Sequence, residues 1–491
     1  MKPTKTIPLL LGPLLFIVLQ FLEAPEGMST AAYSVLCATL WIAIWWVSEA
    51  VPIAVTSLLP IVLFPLTGAL DLSTTTAAYG HKYIFLYLGG FLIAIAIEKW
   101  NLHKRIALFI IRNIGTNVSK IILGFMVATS FLSMWISNTA TAVMMLPIGM
   151  SIVAQLTDNP ATDENENLLF GKALMLGIAY SASIGGIATL IGTPPNLILV
   201  GYVEEVYNIE ISFWKWMKFG FPIALVLLII CWYYLTRIAF SFKQKKFPGG
   251  KEEIERLIRE LGPMKSEEKT VLTVFTLTAI CWIGREFMLQ PFIPGIDDTI
   301  IAIAAGILLF TLPAKKGQEK IINWEEAVKL PWGIILLFGG GMALAASFET
   351  SGLAAWLGQQ VTLLKGLPLF LLILLVIAAV NFLTEVTSNT ATTAMLLPIL
   401  APIAIGMGVN PYVLMVATTV AASCAFMLPV ATPPNAVVFG SGNLRISDMV
   451  KSGLAMNILS IFLLALAVYF LLPFLWNFNP TELSAEFILS E

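Results

Sequence analysis

Residues 121–156 read as one apolar stretch interrupted in its middle by Ser137-Asn138-Thr139-Ala140-Thr141, and residues 367–407 as a second, interrupted by Ser388-Asn389-Thr390-Ala391-Thr392. The first stretch, as unbroken helix at about 1.5 Å per residue, would be about 54 Å long, nearly twice the ~30 Å hydrocarbon thickness of a bilayer. Its halves on either side of the polar break are too short to cross. A re-entrant helical hairpin with its tip near the midplane fits this pattern, and the second stretch breaks the same way. One such tip carries little information, because small polar residues commonly mediate packing between membrane helices. The duplication carries the argument.

The rest of the chain sets the frame. Of 491 residues, 58% are apolar and 12% charged, against roughly 45–50% and 25% in a soluble domain, which excludes a water-soluble fold. Solid apolar runs fall at 7–22, 31–47, 51–70, 84–98, 171–203, 219–240, 270–289, 297–312, 332–349, 411–440 and 452–476. The expected fold is therefore an all-α polytopic membrane protein with about eleven transmembrane helices plus the two hairpins. Strands of an outer-membrane barrel would alternate in hydrophobicity, and these runs do not. The run after Met1-Lys2-Pro3 lacks a small-x-small cleavage site near Glu23-Ala24-Pro25-Glu26, so it reads as a retained first helix. A net charge of −2 implies no nucleic-acid partner. Cys37, Cys231, Cys281 and Cys424 lack CxxC spacing and read as buried small residues, and His81 and His103 are too few for a histidine metal centre.

With the N-terminus inside, only Lys82, Lys215, Lys218, Arg285 and Lys365 fall in external segments, with Lys99 at a helix end; the remaining basic residues are cytoplasmic. That asymmetry follows the positive-inside bias. It puts the ends of the first hairpin inside, and the ends of the second hairpin and the C-terminus outside. An offset of 251 superposes Gly89-Gly90 on Gly340-Gly341, Glu98 on Glu349, Leu102 on Leu353, the two tips on each other and Pro147 on Pro398. Thr193-Pro194-Pro195-Asn196 and Thr432-Pro433-Pro434-Asn435 match at 239, the slippage being taken up by the polar loop at Thr157 to Asn167. Two halves of opposite orientation point to an inverted-repeat secondary transporter. The expected divisions are an N-terminal helix (1–30), a first repeat (31–240), a basic cytoplasmic linker (241–269), read as a solvated loop facing lipid headgroups, and a second repeat (270–491).

Each proline pair removes two backbone donors and forces an unwound stretch whose carbonyls need other partners. Free carbonyls, serine hydroxyls and asparagine oxygens suit Na⁺, while helix N-termini and threonine hydroxyls offer donors to an anion. No Lys or Arg lies in either tip or break. A dianion bound there depends on backbone donors, hydroxyls and co-bound cations, so coupling to cations follows physically, although neither the ion nor its number does.

The sequence resembles the divalent anion/sodium symporter family, of the bacterial INDY type, over essentially its whole length, and the duplicated tips and Thr-Pro-Pro-Asn motifs carry the resemblance. The resemblance implies a homodimer in membrane lipid whose transport part moves as an elevator, carrying a small dicarboxylate with Na⁺ and needing no organic cofactor. It implies one Na⁺ site at Ser133, Ser137, Asn138 and Gly192, and a second at Thr384, Thr387, Asn389 and Ala431. Substrate carboxylates would touch Asn138, Thr139, Thr193, Asn389, Thr390, Thr432 and Pro433. Both tips keep the full Ser-Asn-Thr pattern, which by the same resemblance favours Na⁺-coupled symport of C4 dicarboxylates such as succinate, fumarate and malate across the bacterial plasma membrane. A Na⁺-independent exchanger and a sulfate or citrate transporter of the same fold are the alternatives. An intramembrane enzyme would need a nucleophile with its base, or paired carboxylates, and the apolar segments hold neither. A continuous channel suits broken, duplicated hairpins less well.

Three further groups of residues stand out. Glu385, ahead of the second tip, reads as a proton or cation ligand or as a structural hydrogen-bond partner; its counterpart is Met134. Glu98 and Glu349 read as capping or scaffold residues. Trp45, Trp46, Trp214 and Trp216 read as interfacial anchors.

Overall fold

The computed structural model describes residues 3–115, 117–157, 163–242, 250–315, 320–360 and 366–487. Parts of the polar loop after Thr157 (158–162) and of the linker (243–249), together with Lys2, Lys316 and Lys365 from the charge comparison, lie outside the described residues. Among those described, regular structure is helical throughout, with one isolated bridge between Pro313 and Lys320. Nine of these helices are long and apolar enough to span a membrane, and shorter apolar helices of 10–17 residues accompany them. The chain is a multi-pass membrane protein. Each of the eleven apolar runs is occupied by helix. Run 51–70 is divided into Ile53–Thr56 and Leu59–Thr67, as expected for a segment containing Pro52, Pro60 and Pro65.

Both interrupted stretches fold as helix-turn-helix hairpins. The first pairs Val118–Ser133 with Asn138–Thr157, and the second pairs Leu369–Leu383 with Asn389–Gly406. The second arms, of 20 and 18 residues, are longer than the sequence reading gave and reach the length of a span. Arm length therefore does not define the hairpins; the position of their tips does. Each reversal is fixed by its serine. Ser137 Oγ accepts from Ala140 N at 3.2 Å and Ser388 Oγ from Ala391 N at 3.4 Å, so each caps the second arm.

The Thr-Pro-Pro-Asn motifs open new helices. Glu164–Ile187 stops and Pro194–Tyr207 resumes; Tyr412–Ala422 stops and Pro433–Phe439 resumes. Proline at the first helical positions ends the need for N–H acceptors there and fixes φ for the new helix.

Two expectations change. The linker is not a loop throughout: Gly250–Leu261 is a strongly amphipathic helix. It packs on Leu102–Ile114 and on the long arm Asn138–Thr157, with Ile254 buried. Glu253 on this helix accepts from Ser151 of the hairpin and pairs with Arg256 at 2.6 Å. Trp46 and Trp216 are buried in the core, not interfacial. Trp46 donates to Ser57 Oγ at 3.3 Å, and Trp216 to the Ile187 carbonyl at 2.9 Å, one of the groups that the first helix break leaves without a helical partner. An indole at a span end reads the same from sequence in either setting, because only tertiary packing decides its surroundings.

Candidate functional site

Both hairpin tips and both helix breaks face one cavity of about 590 Å³. Its wall includes Ser137, Asn138 and Thr139 from the first tip, Gly192, Thr193 and Pro194 from the first break, Thr387, Ser388, Asn389 and Thr390 from the second tip, and Ala431, Thr432 and Pro433 from the second break. All seven residues expected to touch substrate are therefore on this wall. The end of Thr30–Ser48, the first half of Lys82–Lys99 and the start of Trp332–Thr350 close it with Val47, Ser48, Glu49, Tyr87 and Ile334. Among the described residues, no Lys, Arg or His lines it, and Glu49 is the one acidic residue on its wall.

Four helices begin at this wall, at Asn138, Pro194, Asn389 and Pro433. A helix N-terminus carries roughly half a positive charge and N–H groups without intrahelical acceptors. The two hairpin arms present real N–H donors. The two proline starts have none at their first positions, and act through the dipole and the Thr193 and Thr432 side chains. The helix ends thus offer partial positive charge to the cavity without a cationic side chain among the described residues.

Beside the first tip, oxygen atoms gather. Ser133 Oγ donates to the Ala182 carbonyl at 2.6 Å and lies 2.5 Å from the Asn138 amide. Turned so that Nδ2 faces the carbonyls, that amide reaches Ala182 O at 3.1 Å and Gly192 O at 3.2 Å. Ser133 Oγ, Ala182 O and Gly192 O then converge on the Asn138 amide nitrogen, hard oxygens of the kind that also suit a small cation. Gly186 and Gly192 make room for this cluster. A Cβ on Gly186 would sit 2.7 Å from Asn138 Oδ1, and one on Gly192 would sit 2.5 Å from Gly186 O. Ser133, Asn138 and Gly192 are brought together as expected. The Ala182 carbonyl was not foreseen, and the Ser137 hydroxyl is occupied as a cap.

Beside the second tip the arrangement is looser. Thr387 Oγ1 lies 2.8 Å from Thr392 Oγ1 and donates to Leu383 O, while Thr384 donates to Asn381 O one turn behind. Asn389 Oδ1 is buried without a hydrogen-bond partner among the described residues. Thr387, Asn389 and Ala431 are on the cavity wall, and Thr384 is not. Asn381 Nδ2 donates to Cys424 O at 2.5 Å, tying the hairpin to the second break.

The motif asparagines have a task that sequence reasoning missed. Asn196 Nδ2 donates to Gly186 O at 3.1 Å and Thr189 O at 2.8 Å, ten and seven residues back. Asn435 Nδ2 donates to Ala425 O at 3.4 Å and Leu428 O at 3.0 Å, again ten and seven back. Each holds the unwound carbonyls that its preceding prolines created. The repeated Thr-Pro-Pro-Asn was a signal for this, since a break needs a side-chain donor to replace lost helical N–H groups. Glu98 and Glu349 line two separate cavities, of about 640 and 610 Å³, away from this wall.

A model of the sodium:sulfate symporter transmembrane region matches residues 4–476. The chain belongs to the divalent anion/sodium symporter family. Within it, the chain is 48% identical over 482 residues to the sodium-dependent dicarboxylate transporter SdcS of Staphylococcus saprophyticus, covering 97% of this chain and 93% of that protein. It is 49% identical over 473 residues to SdcS of Staphylococcus aureus strain USA300, covering 95% and 91%. Members of this family are transporters rather than enzymes, and so is this chain. The fold is also similar to two solved transporters at 13% identity each. These are YdaH of Alcanivorax borkumensis, with a TM-score of 0.58 over 92% of this chain and 100% of that one, and MtrF of Neisseria gonorrhoeae, described as one of a class of antimetabolite efflux pumps, with 0.59 over 94% and 98%.

Proposed function

We propose that this symporter imports C4 dicarboxylates such as succinate, fumarate and malate with Na⁺ across the bacterial plasma membrane, as a homodimer working by an elevator movement. The observation that carries this reading is a cavity walled by both tips and both breaks, with four helix N-termini and, among the described residues, no cationic side chain. In a site of low dielectric, a doubly negative guest needs compensating charge, and partial charges at helix ends supply only part of it. Co-bound Na⁺ in the Ser133/Asn138/Gly192 and Thr387/Asn389/Ala431 clusters would supply the rest. Each carboxylate would then meet one tip, through Asn138 and Thr139 on one side and Asn389 and Thr390 on the other. Thr193, Thr432 and Pro433 would border the chain between them. Inward movement of each Na⁺ down the membrane potential adds about 2.3 kcal/mol per 100 mV.

The two halves, 31–240 and 270–491, are read as inverted repeats, with the N-terminus cytoplasmic, the C-terminus external and 241–269 as the cytoplasmic connection. The test is uptake of labelled succinate into proteoliposomes. The reading expects accumulation that requires an inward Na⁺ gradient and no internal dicarboxylate. Uptake indifferent to Na⁺ but dependent on internal dicarboxylate would replace it with an exchanger. Sulfate is a second reading because the matched family description names it. Na⁺-driven uptake of labelled sulfate by proteoliposomes that do not accumulate succinate would favour it.

A further inference from the structure

We infer that Glu385 is the positioning residue of the second cation site, holding the second helix break in shape and placing beside that site a fixed negative charge that the first site lacks. The inference rests on the Na⁺-coupled reading above. Glu385 is 3% exposed, at the turn of the second hairpin. Its Oε1 accepts from Phe426 N at 2.8 Å and Met427 N at 2.9 Å, and its Oε2 from Leu428 N at 2.9 Å. Asn457 Nδ2 donates to Oε1 at 2.7 Å, and Asn457 Oδ1 accepts from Phe426 N at 3.1 Å. Four N–H donors therefore converge on two oxygens, which is the acceptor-only chemistry of a carboxylate.

These bonds act on the cation cluster through the chain. Leu428, whose N–H is held by Glu385, offers its carbonyl to Asn435 Nδ2 at 3.0 Å and to Ala431 N at 3.2 Å. The turn Leu428–Ala431 is thus fixed from both ends, and Ala431 stands on the cavity wall next to Thr432. Behind the break, Gly453 of the helix Ile446–Leu466 approaches Phe426 and Met427 so closely that any side chain there would collide with backbone. The strut cannot shift backward.

The corresponding contact in the first half is neutral. Met134 stands where Glu385 does, and Thr189 stands where Leu428 does; Thr189 Oγ1 donates to the Met134 carbonyl. The same two positions join hairpin turn to helix break in both halves, by hydroxyl to carbonyl in one and by carboxylate to backbone N–H in the other. Only the second bond brings a full charge. Glu385 acts through the backbone and through its field, without contacting the cavity.

The experiment uses the full-length protein, wild type, Glu385→Gln, Glu385→Asp and Asn457→Ala, purified and reconstituted. Two quantities are read: Na⁺ activation of succinate uptake together with the succinate KM at saturating Na⁺, and Na⁺-dependent thermal stabilisation in detergent, which needs no transport. Glu385→Gln is expected to raise the Na⁺ half-saturation about tenfold and reduce Na⁺ stabilisation, while the succinate KM at saturating Na⁺ moves less than about twofold. Glu385→Asp, which keeps the charge, should recover part of the loss. If the Glu385 variants do not fold, Asn457→Ala, which removes one donor, should raise the Na⁺ half-saturation about threefold. An unchanged Na⁺ curve in Glu385→Gln, equal weakening of Na⁺ and succinate, or no difference between Gln and Asp overturns the inference. A wild type neither activated nor stabilised by Na⁺ overturns the transport reading instead, and this inference falls with it.

Discussion

The two halves of the cavity wall reach one arrangement by different means. In the first, the break from Ala188 to Thr193 is tight. Gly186 and Gly192 let backbone approach backbone, and the Asn138 amide drops among Ser133 Oγ and the carbonyls of Ala182 and Gly192. In the second, the break from Ser423 to Thr432 is longer, alanines stand in the places of those glycines, and the charged strut Glu385 holds the backbone from behind. The tip serines, the capping contacts and the asparagines reaching ten and seven residues back are the same in both. The shared parts hold each unwound segment open toward the cavity. On the proposed reading, the parts that differ would set how strongly each side attracts a cation: close packing where the cluster is compact, and a buried carboxylate where it is loose.

Removing a shared part should have the largest effect. Asn138→Ala and Asn389→Ala should each reduce Na⁺-driven succinate uptake to below about 1% of wild type, with membrane expression unchanged by immunoblot. Retained uptake in either variant would detach that tip from the site. Next come the glycines, where the halves should part. Gly186→Ala or Gly192→Ala adds a Cβ at 2.5–2.7 Å from atoms of the first cluster and should weaken apparent Na⁺ affinity at least tenfold. The reverse changes on the other side, Ala425→Gly and Ala431→Gly, should stay within about threefold. Equal effects on both sides would remove the distinction between a packed and a charged site.

A smaller effect is expected at Thr189. Thr189→Val leaves the Met134 carbonyl, buried at the first reversal, without its donor. An orphaned buried acceptor costs roughly 1–3 kcal/mol, which should appear as a lower Tm and a modest rise in Na⁺ half-saturation. The smallest effect belongs to the linker helix, which braces the long arm of the first hairpin. The hydrogen bond from Arg256 holds the Glu253 carboxyl below its ordinary value. A depressed carboxylate contributes stability above the unfolded value, about 4.3, and loses it as pH falls through the folded one. Glu253→Gln should therefore lower Tm slightly near pH 7, and the difference from wild type should vanish in acid.

How far the sequence reached depends on how local each signal is. The tips were legible because Ser137-Asn138-Thr139 and Ser388-Asn389-Thr390 interrupt two long apolar runs in the same way, a duplication that helix packing alone does not require. The breaks were legible because two consecutive prolines cannot continue a helix. The family resemblance that these duplicated motifs carry then implied the seven cavity residues together. What stayed hidden depends on distant partners. Nothing near Glu385 announces Asn457, 72 residues away. The Ala182 carbonyl is a backbone group without a residue signature. Trp216 reads as an interfacial indole until Ile187 is found beneath it. The linker helix hid its apolar stripe of Ile254, Leu257 and Leu261 within a charge-rich segment.

The most direct test of the central claim is an experimental density map of the protein in lipid with saturating Na⁺ and succinate. The account predicts succinate bridging the two tips, one carboxylate at Asn138-Thr139 and the other at Asn389-Thr390, with separate cation peaks against Gly192 and Ala431. Ligand density held by a lysine or arginine, or tips entering from a single side of the bilayer, would contradict it.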